Sequence, residues 1–263
     1  MKTRYILFFL TMFLWTVGFG QKLNLSQIIE KAGKQKLLCE QITKSYLMIG
    51  SAIKTDEAKL EFDDSKFTFS KNLLFLGENS KSEESKLAIQ NVVALWNDFK
   101  IILVSKPTRE NSLVVINQSN LVLNACNEMV AQIFSENKIK NIRLLNLCNK
   151  QRLNSQKIAK FCVAKNWKIN YLDLEKELNE TLTSYEFSLA QMISANDNSP
   201  EITKILTQQK NDWTDYKSNF MYGNKTVISE AIIENTNTIL NEFNKLSLLY
   251  IKNAITGNAI TGL

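Results

Sequence analysis

Apolar residues recur along this chain at alternating spacings of three and four, the period of helices that bury one face, and all of its periodicity is of this kind. Ile28, Ala32, Gln35, Cys39, Ile42, Tyr46 and Ile49 make the first stripe, which stops near Gly50. A second helix is expected from about Asp56, with Ala58, Phe62, Phe69, Leu73 and Leu76 inward and a stop at Gly77. The third follows a polar SKSEES stretch, in which Ser82 and Ser85 suit an N-cap, and turns Ile89, Val92, Trp96, Phe99 and Leu103 to one side before Pro107. A fourth starts near Thr108 to Asn111 and carries Leu113, Ile116, Leu123, Val130 and Phe134.

The plan then repeats. LLNLCNKQRLNSQKIAKFCV, from Leu144 to Val163, restates IIEKAGKQKLLCEQITKSYL, from Ile28 to Leu47. Laid so that Gln35 falls on Gln151, the copies also match at Lys34/Lys150, Leu37/Leu153, Ile42/Ile158 and Lys44/Lys160, with Lys36/Arg152 keeping the charge. A sixth helix has Leu174, Leu178, Tyr185, Leu189 and Met192 inward; a turn at Asn196 to Pro200 places Pro200 at the start of a seventh, with Leu206, Trp213, Tyr216 and Phe220. After Gly223-Asn224, an eighth shows Ile232, Ile239, Phe243, Leu246 and Tyr250, and the small-residue run to Leu263 reads as a frayed tail.

The expected fold is therefore all-α: two tandem antiparallel four-helix bundles, residues 21–137 and 138–252, followed by a flexible tail at 253–263. No glycine or proline interrupts Ala131 to Leu147. Helices four and five are accordingly expected to run on from about Asn111 to Lys165, on the order of 80 Å, holding the bundles end to end, with a bend near Glu136 to Lys138 as the alternative.

Composition adds an address. Lys2 and Arg4 precede an apolar run, Tyr5 to Val17, and Gly18-Phe19-Gly20 has the small residues that a signal peptidase reads, so residues 1–20 are expected to be a signal peptide and the protein to be periplasmic or secreted. The run falls short of the about 20 apolar residues that span a bilayer, so membrane contact is expected only through an uncleaved leader. Net charge is +6, two of the cations lie in that leader, and Lys alternates with Glu and Asp elsewhere; no basic stripe points to nucleic acid. Cys148 and Cys162 stand about 21 Å apart on one helix, beyond bridging, and all four cysteines fit apolar stripes.

Candidate chemistry is sparse. The chain has no histidine, no CxxC pair and no glycine-rich phosphate loop, so catalytic residues, metal ligands and cofactors are all read as none. Gln35 and Gln151 lie on apolar seams, where a polar residue sets register or meets a ligand. Lys36 and Arg152 suit either a carboxylate on a neighbouring helix or an anion, and Asn120, Asn127 and Asn244 either satisfied amides or a polar cavity.

Ala32-Gly33-Lys34-Gln35-Lys36-Leu37-Leu38-Cys39-Glu40-Gln41-Ile42-Thr43-Lys44-Ser45-Tyr46 and its second copy from Cys148 resemble the A-G-R-Q-R-M-L-S-Q-R-M-A-K-x-Y signature of the extracytoplasmic four-helix domain of PilJ-type type IV pilus chemotransducers. That domain is related to the sensing domain of NarX-type nitrate/nitrite sensor kinases. The resemblance implies a sensor that binds a small ligand, with an anion held at the position of Lys36 and Arg152 between paired first helices, and Gly33 allowing close backbone approach. On this expectation Lys36, Arg152, Gln35, Gln151 and Gly33 are the candidate site of a non-enzymatic module. Its expected partners are a small anion and a protein of the cell envelope, with homodimerisation open. The alternative is a structural or adaptor protein with no small ligand.

Overall fold

The computed structural model describes residues 2–139, 142–222 and 226–260, with side chains described for 25–139, 142–218, 220 and 230–253. Eight helices make up these residues: α1 (Lys2–Gly50), α2 (Thr55–Asn79), α3 (Glu83–Ile102), α4 (Arg109–Glu136), α5 (Arg143–Asn166), α6 (Leu174–Ile193), α7 (Pro200–Tyr222) and α8 (Thr226–Ile260). The all-α expectation holds. The expected leader lies outside the residues whose side chains are described, although the α1 helix itself runs unbroken from Lys2. The expected tail from 253 is helical as far as Ile260. Among the described residues, no helix is long and apolar enough to cross a membrane.

Local chemistry sets most boundaries. Ser82 caps α3 by accepting from Ser85 N at 3.1 Å, Thr108 caps α4 by accepting from Asn111 N at 3.2 Å, and Pro200 opens α7. The first helix of each copy ends alike, on a left-handed residue, Ala52 (φ 57°) or Lys168 (φ 57°). Ile53 N then reaches back to Met48 O at 3.0 Å and Ile169 N to Ala164 O at 3.0 Å, which satisfies carbonyls that the helix would otherwise leave open.

Each group of four closes a ring: α1 packs on α2, α2 on α3, α3 on α4 and α4 on α1, and α5 to α8 do the same. Interior contacts repeat between the rings. Trp96 packs tilted against Phe69 and donates to Ser70 Oγ at 3.0 Å, as Trp213 stacks on Tyr185 and donates to Glu186 Oε1 at 2.9 Å. All four cysteines are buried and unpaired by disulfides.

The relation between the bundles differs from the expected rod. Helices α4 and α5 are separate: Lys138 takes φ 49°, Ile139 N bonds back to Phe134 O, and the buried Ile139 side chain anchors the bend. The bundles lie side by side, with α1 packed lengthwise and parallel on α5 and also touching α8. Gly33 meets Asn149, Glu40 meets Lys160, Lys44 meets Gln156 and Gly50 meets Trp167. From Gly33/Asn149 to Gly50/Trp167 both helices advance together, while Glu40/Lys160 and Lys44/Gln156 cross over between them. The tandem copies thus face each other about a pseudo-two-fold axis parallel to α1 and α5, the arrangement of a symmetric dimer made within one chain.

The physical reason lies off the apolar seams. Glu40, Thr43, Lys44, Ser45, Ser155, Gln156 and Lys160 are all nearly inaccessible, so α1 and α5 are buried on nearly all sides despite their polar residues. Lys44 donates to Gln156 Oε1 at 2.7 Å and pairs with Glu61 at 2.9 Å; Lys160 stands 2.7 Å from Glu40. This reciprocal pairing satisfies charges that an end-to-end rod would leave in water. Lys54, which begins α2, adds a bridge to Glu234 of α8 at 2.9 Å.

Candidate functional site

Side-by-side packing leaves a groove between α4 and α5, because these helices touch little and α1 forms the floor between them. Its volume is about 730 Å³. Gly33 and Lys36 come from the floor, Asn127, Val130 and Phe134 from α4, Ile142, Asn146, Asn149, Lys150 and Leu153 from α5 and the residue before it, and Lys138 and Ile139 from the bend. Three lysines line it and no carboxylate does.

Lys36 is the central feature. Its side chain is half-buried and makes no hydrogen bond or ion pair to any described residue, and burial lowers its pKa below the ordinary lysine range. The one titratable group acting on it is Cys126, whose thiol burial pushes up to about 12, so that it stays neutral and supplies no counter-charge. Asn127 and Lys150 also have no side-chain partner among the described residues.

Arg152 occupies the matching position in the second copy and is engaged through Nε and Nη1. It donates from Nε to Asn244 Oδ1 at 2.8 Å, and from Nη1 to Asn149 Oδ1 at 3.1 Å and Ser247 Oγ at 3.3 Å. Burial lowers its pKa, while the thiol of Cys148 and the carboxylate of Glu30 work the other way. An arginine committed through Nε and Nη1, with an acid nearby, has less to offer an incoming anion than an unpaired cation. Two positions mark the difference: Asn149, an acceptor for Arg152, stands where the first copy has Gly33, and Ser247 faces Arg152 while the apolar Val130 lines the Lys36 groove. Copy one therefore has an apolar wall where copy two has an acceptor.

The remaining candidates fall into structural places. Gln35 donates to Phe69 O at 3.1 Å and Gln151 to Tyr185 O at 3.0 Å, each bond reaching 34 residues along the chain to the second helix of its own copy. Both glutamines are in the bundle interiors and outside the groove, as register residues. Gly33 is at the groove floor: a Cβ there would lie 2.7 Å from Asn149 Nδ2, so the glycine makes room for that amide. With Oδ1 committed to Arg152, Asn149 turns its Nδ2 donor over Gly33, beside Lys36.

Sequence reasoning missed Asn149, Lys150, Phe134 and Ile142 as groove residues. The mismatch of Gly33 with Asn149 in otherwise similar motifs was the available signal for the first of these. Among the described residues, no cluster of histidine, cysteine, aspartate and glutamate is suited to a metal ion. No family model, curated protein or solved structure matches the chain.

Proposed function

We propose that the protein is a non-enzymatic ligand-binding module that holds a small anion on Lys36 in the groove between the two bundles and reports occupancy to a partner protein. One observation carries this reading: Lys36 is withdrawn from water without a counter-charge, in a groove that has cations and amide donors but no acid. A buried cation left unpaired costs stability, and a bound anion would offset that cost.

The resemblance to PilJ-type and NarX-type sensing domains agrees with this, since it implies an anion between two parallel first helices, and α1 and α5 are such a pair within one chain. The groove is walled by elements of both copies, so an occupant would bias how the bundles sit against each other. Shifts of an ångström or two between packed helices are an ordinary output of such a device.

The test is a thermal-shift panel of nitrate, sulfate, phosphate and carboxylates on the wild-type chain and on Lys36→Met. An anion at a hundredfold excess over its dissociation constant adds about 2.7 kcal/mol of stability. The reading requires a shift with at least one anion that disappears in Lys36→Met; a shift of equal size in both proteins contradicts it.

A second reading, an adaptor without a small ligand, draws on Leu60, Phe67 and Leu74, which recur every seventh residue on α2 and stand 66–70% exposed.

A further inference from the structure

The dimensions and lining of the Lys36 groove specify more than an anion. An inorganic oxyanion displaces only a few times the roughly 30 Å³ of a water molecule, whereas about 730 Å³ is in the range of sites for organic ligands. The lining also includes a run of apolar residues. Lys36, Asn127 and Asn149 all line it, with the Asn149 amide seated over Gly33. From there towards the bend the apolar wall residues are Val130, Phe134, Ile139 and Ile142, the first three of them more than nine-tenths buried, with Ser135, Lys138 and Asn146 beside them. Asn127 and Phe134 are two helical turns apart on α4, which makes the apolar stretch on the order of 10 Å long.

On the reading that Lys36 binds an anion, we propose that the ligand is an organic monocarboxylate with an unbranched apolar tail, its head on Lys36 and its tail against Val130, Phe134, Ile139 and Ile142. One carboxylate neutralises Lys36, and its oxygens accept from the ammonium and from the Asn149 amide. The tail covers the surface that the half-buried Ile142 and the edges of Val130, Phe134 and Ile139 leave open. A tail of roughly six to eight carbons spans the 10 Å stretch. Copy two has no equivalent site, because Arg152 fills its own position and Ser247 accepts from it.

Isothermal titration calorimetry of the whole chain with acetate, butyrate, hexanoate and octanoate, all below micellar concentration, tests this. Nitrate, octylamine and octanol serve as comparison ligands. The proposal expects affinity to rise roughly three- to fourfold per added methylene, the equivalent of the apolar surface that each buries. It expects octylamine and octanol to bind at least tenfold more weakly than octanoate. Lys36→Met and Lys36→Gln, each checked for a wild-type circular dichroism spectrum, should both lose octanoate binding. Ile142→Asn, at a half-buried wall position, should keep acetate binding and flatten the dependence on chain length.

Nitrate and acetate bound through Lys36 with no gain along the series would overturn the organic ligand and leave the anion-binding reading standing. Octylamine or octanol bound as tightly as octanoate would overturn the carboxylate head. No binding by any anion would overturn both readings.

Discussion

Replacing Glu40 by glutamine probes the seam between the bundles at its most buried point. Glu40 and Lys160 are 2.7 Å apart with side chains 1% and 0% exposed. Neither atom has a hydrogen-bond partner, so charge holds the pair, with the Phe161 ring centroid 4.5 Å from Lys160 Nζ. Glu40→Gln keeps the shape and removes the charge, which strands Lys160 in the interior with no acid in reach. Removing one partner of a buried pair costs about 3–5 kcal/mol. For a chain of this size that is a fall in Tm of roughly 6–20 °C.

Lys160→Met in the Glu40→Gln background removes the stranded cation, and replacing a buried pair by apolar groups of similar volume is often neutral. The double variant should therefore recover most of the loss, with a coupling above about 1.5 kcal/mol. Urea and thermal unfolding followed by circular dichroism would measure all three proteins. Were the bundles end to end, both residues would face water and an exposed pair would be worth about 0–1 kcal/mol. A Glu40→Gln loss below about 1 kcal/mol with no coupling would refute the side-by-side packing.

Four further outcomes are expected. Lys36→Met should raise the Tm of the unliganded protein, because it removes an unpaired cation; the gain is full below the lowered pKa of Lys36 and shrinks as the pH rises through it towards 10.5, and matched melts at pH 7 and 10 would check it. Anion affinity should hold while Lys36 is protonated and fall as the pH passes that lowered pKa, on the acid side of where an exposed lysine titrates, as calorimetry across that range would show. Gly50→Ala would put a Cβ 2.2 Å from Trp167 Cη2 and 2.9 Å from Pro107 Cβ, costing about 1–3 kcal/mol, with Trp167→Leu in the same chain restoring much of the Tm. For Glu136, burial acts to raise the pKa, but the backbone N–H groups of Lys81 and Ser82 and nearby hydroxyls outweigh it and hold the carboxyl low. Glu136→Gln should thus destabilise above the ordinary glutamate pKa and converge with wild type as pH falls through the lowered one, as acid titrations of stability would show.

Helices and caps were legible in the sequence because their causes are local. Ser82, Thr108 and Pro200 act on their own first turns, and the apolar stripes match the buried residues, including Trp96 and Trp213. The bend at Lys138 was legible only as the alternative to a continuous helix, since a lysine at φ 49° has no signature and is held by the packing of Ile139 from outside the turn. The relation between the bundles was misjudged because Glu40, Lys44 and Lys160 look like a solvated face. That Lys44 and Lys160 matched between copies, off the apolar seam, was a sign of a second constrained face.

The candidate site was half legible for a similar reason. The motif placed Lys36 and Arg152 in equivalent positions, yet part of what separates them sits about a hundred residues away, in Val130 against Ser247. Only packing brings those residues to the motif. Gln35 and Gln151 sit on the seam as expected, and their bonds to Phe69 and Tyr185 place them in the register role.

The most direct test is a crystal structure of the whole chain with the tightest anion of the panel bound. The account predicts the anion within hydrogen-bonding distance of Lys36 Nζ and Asn149 Nδ2, with Arg152 still on Asn244 and Ser247. An anion held by Arg152, with Lys36 bare, would contradict it.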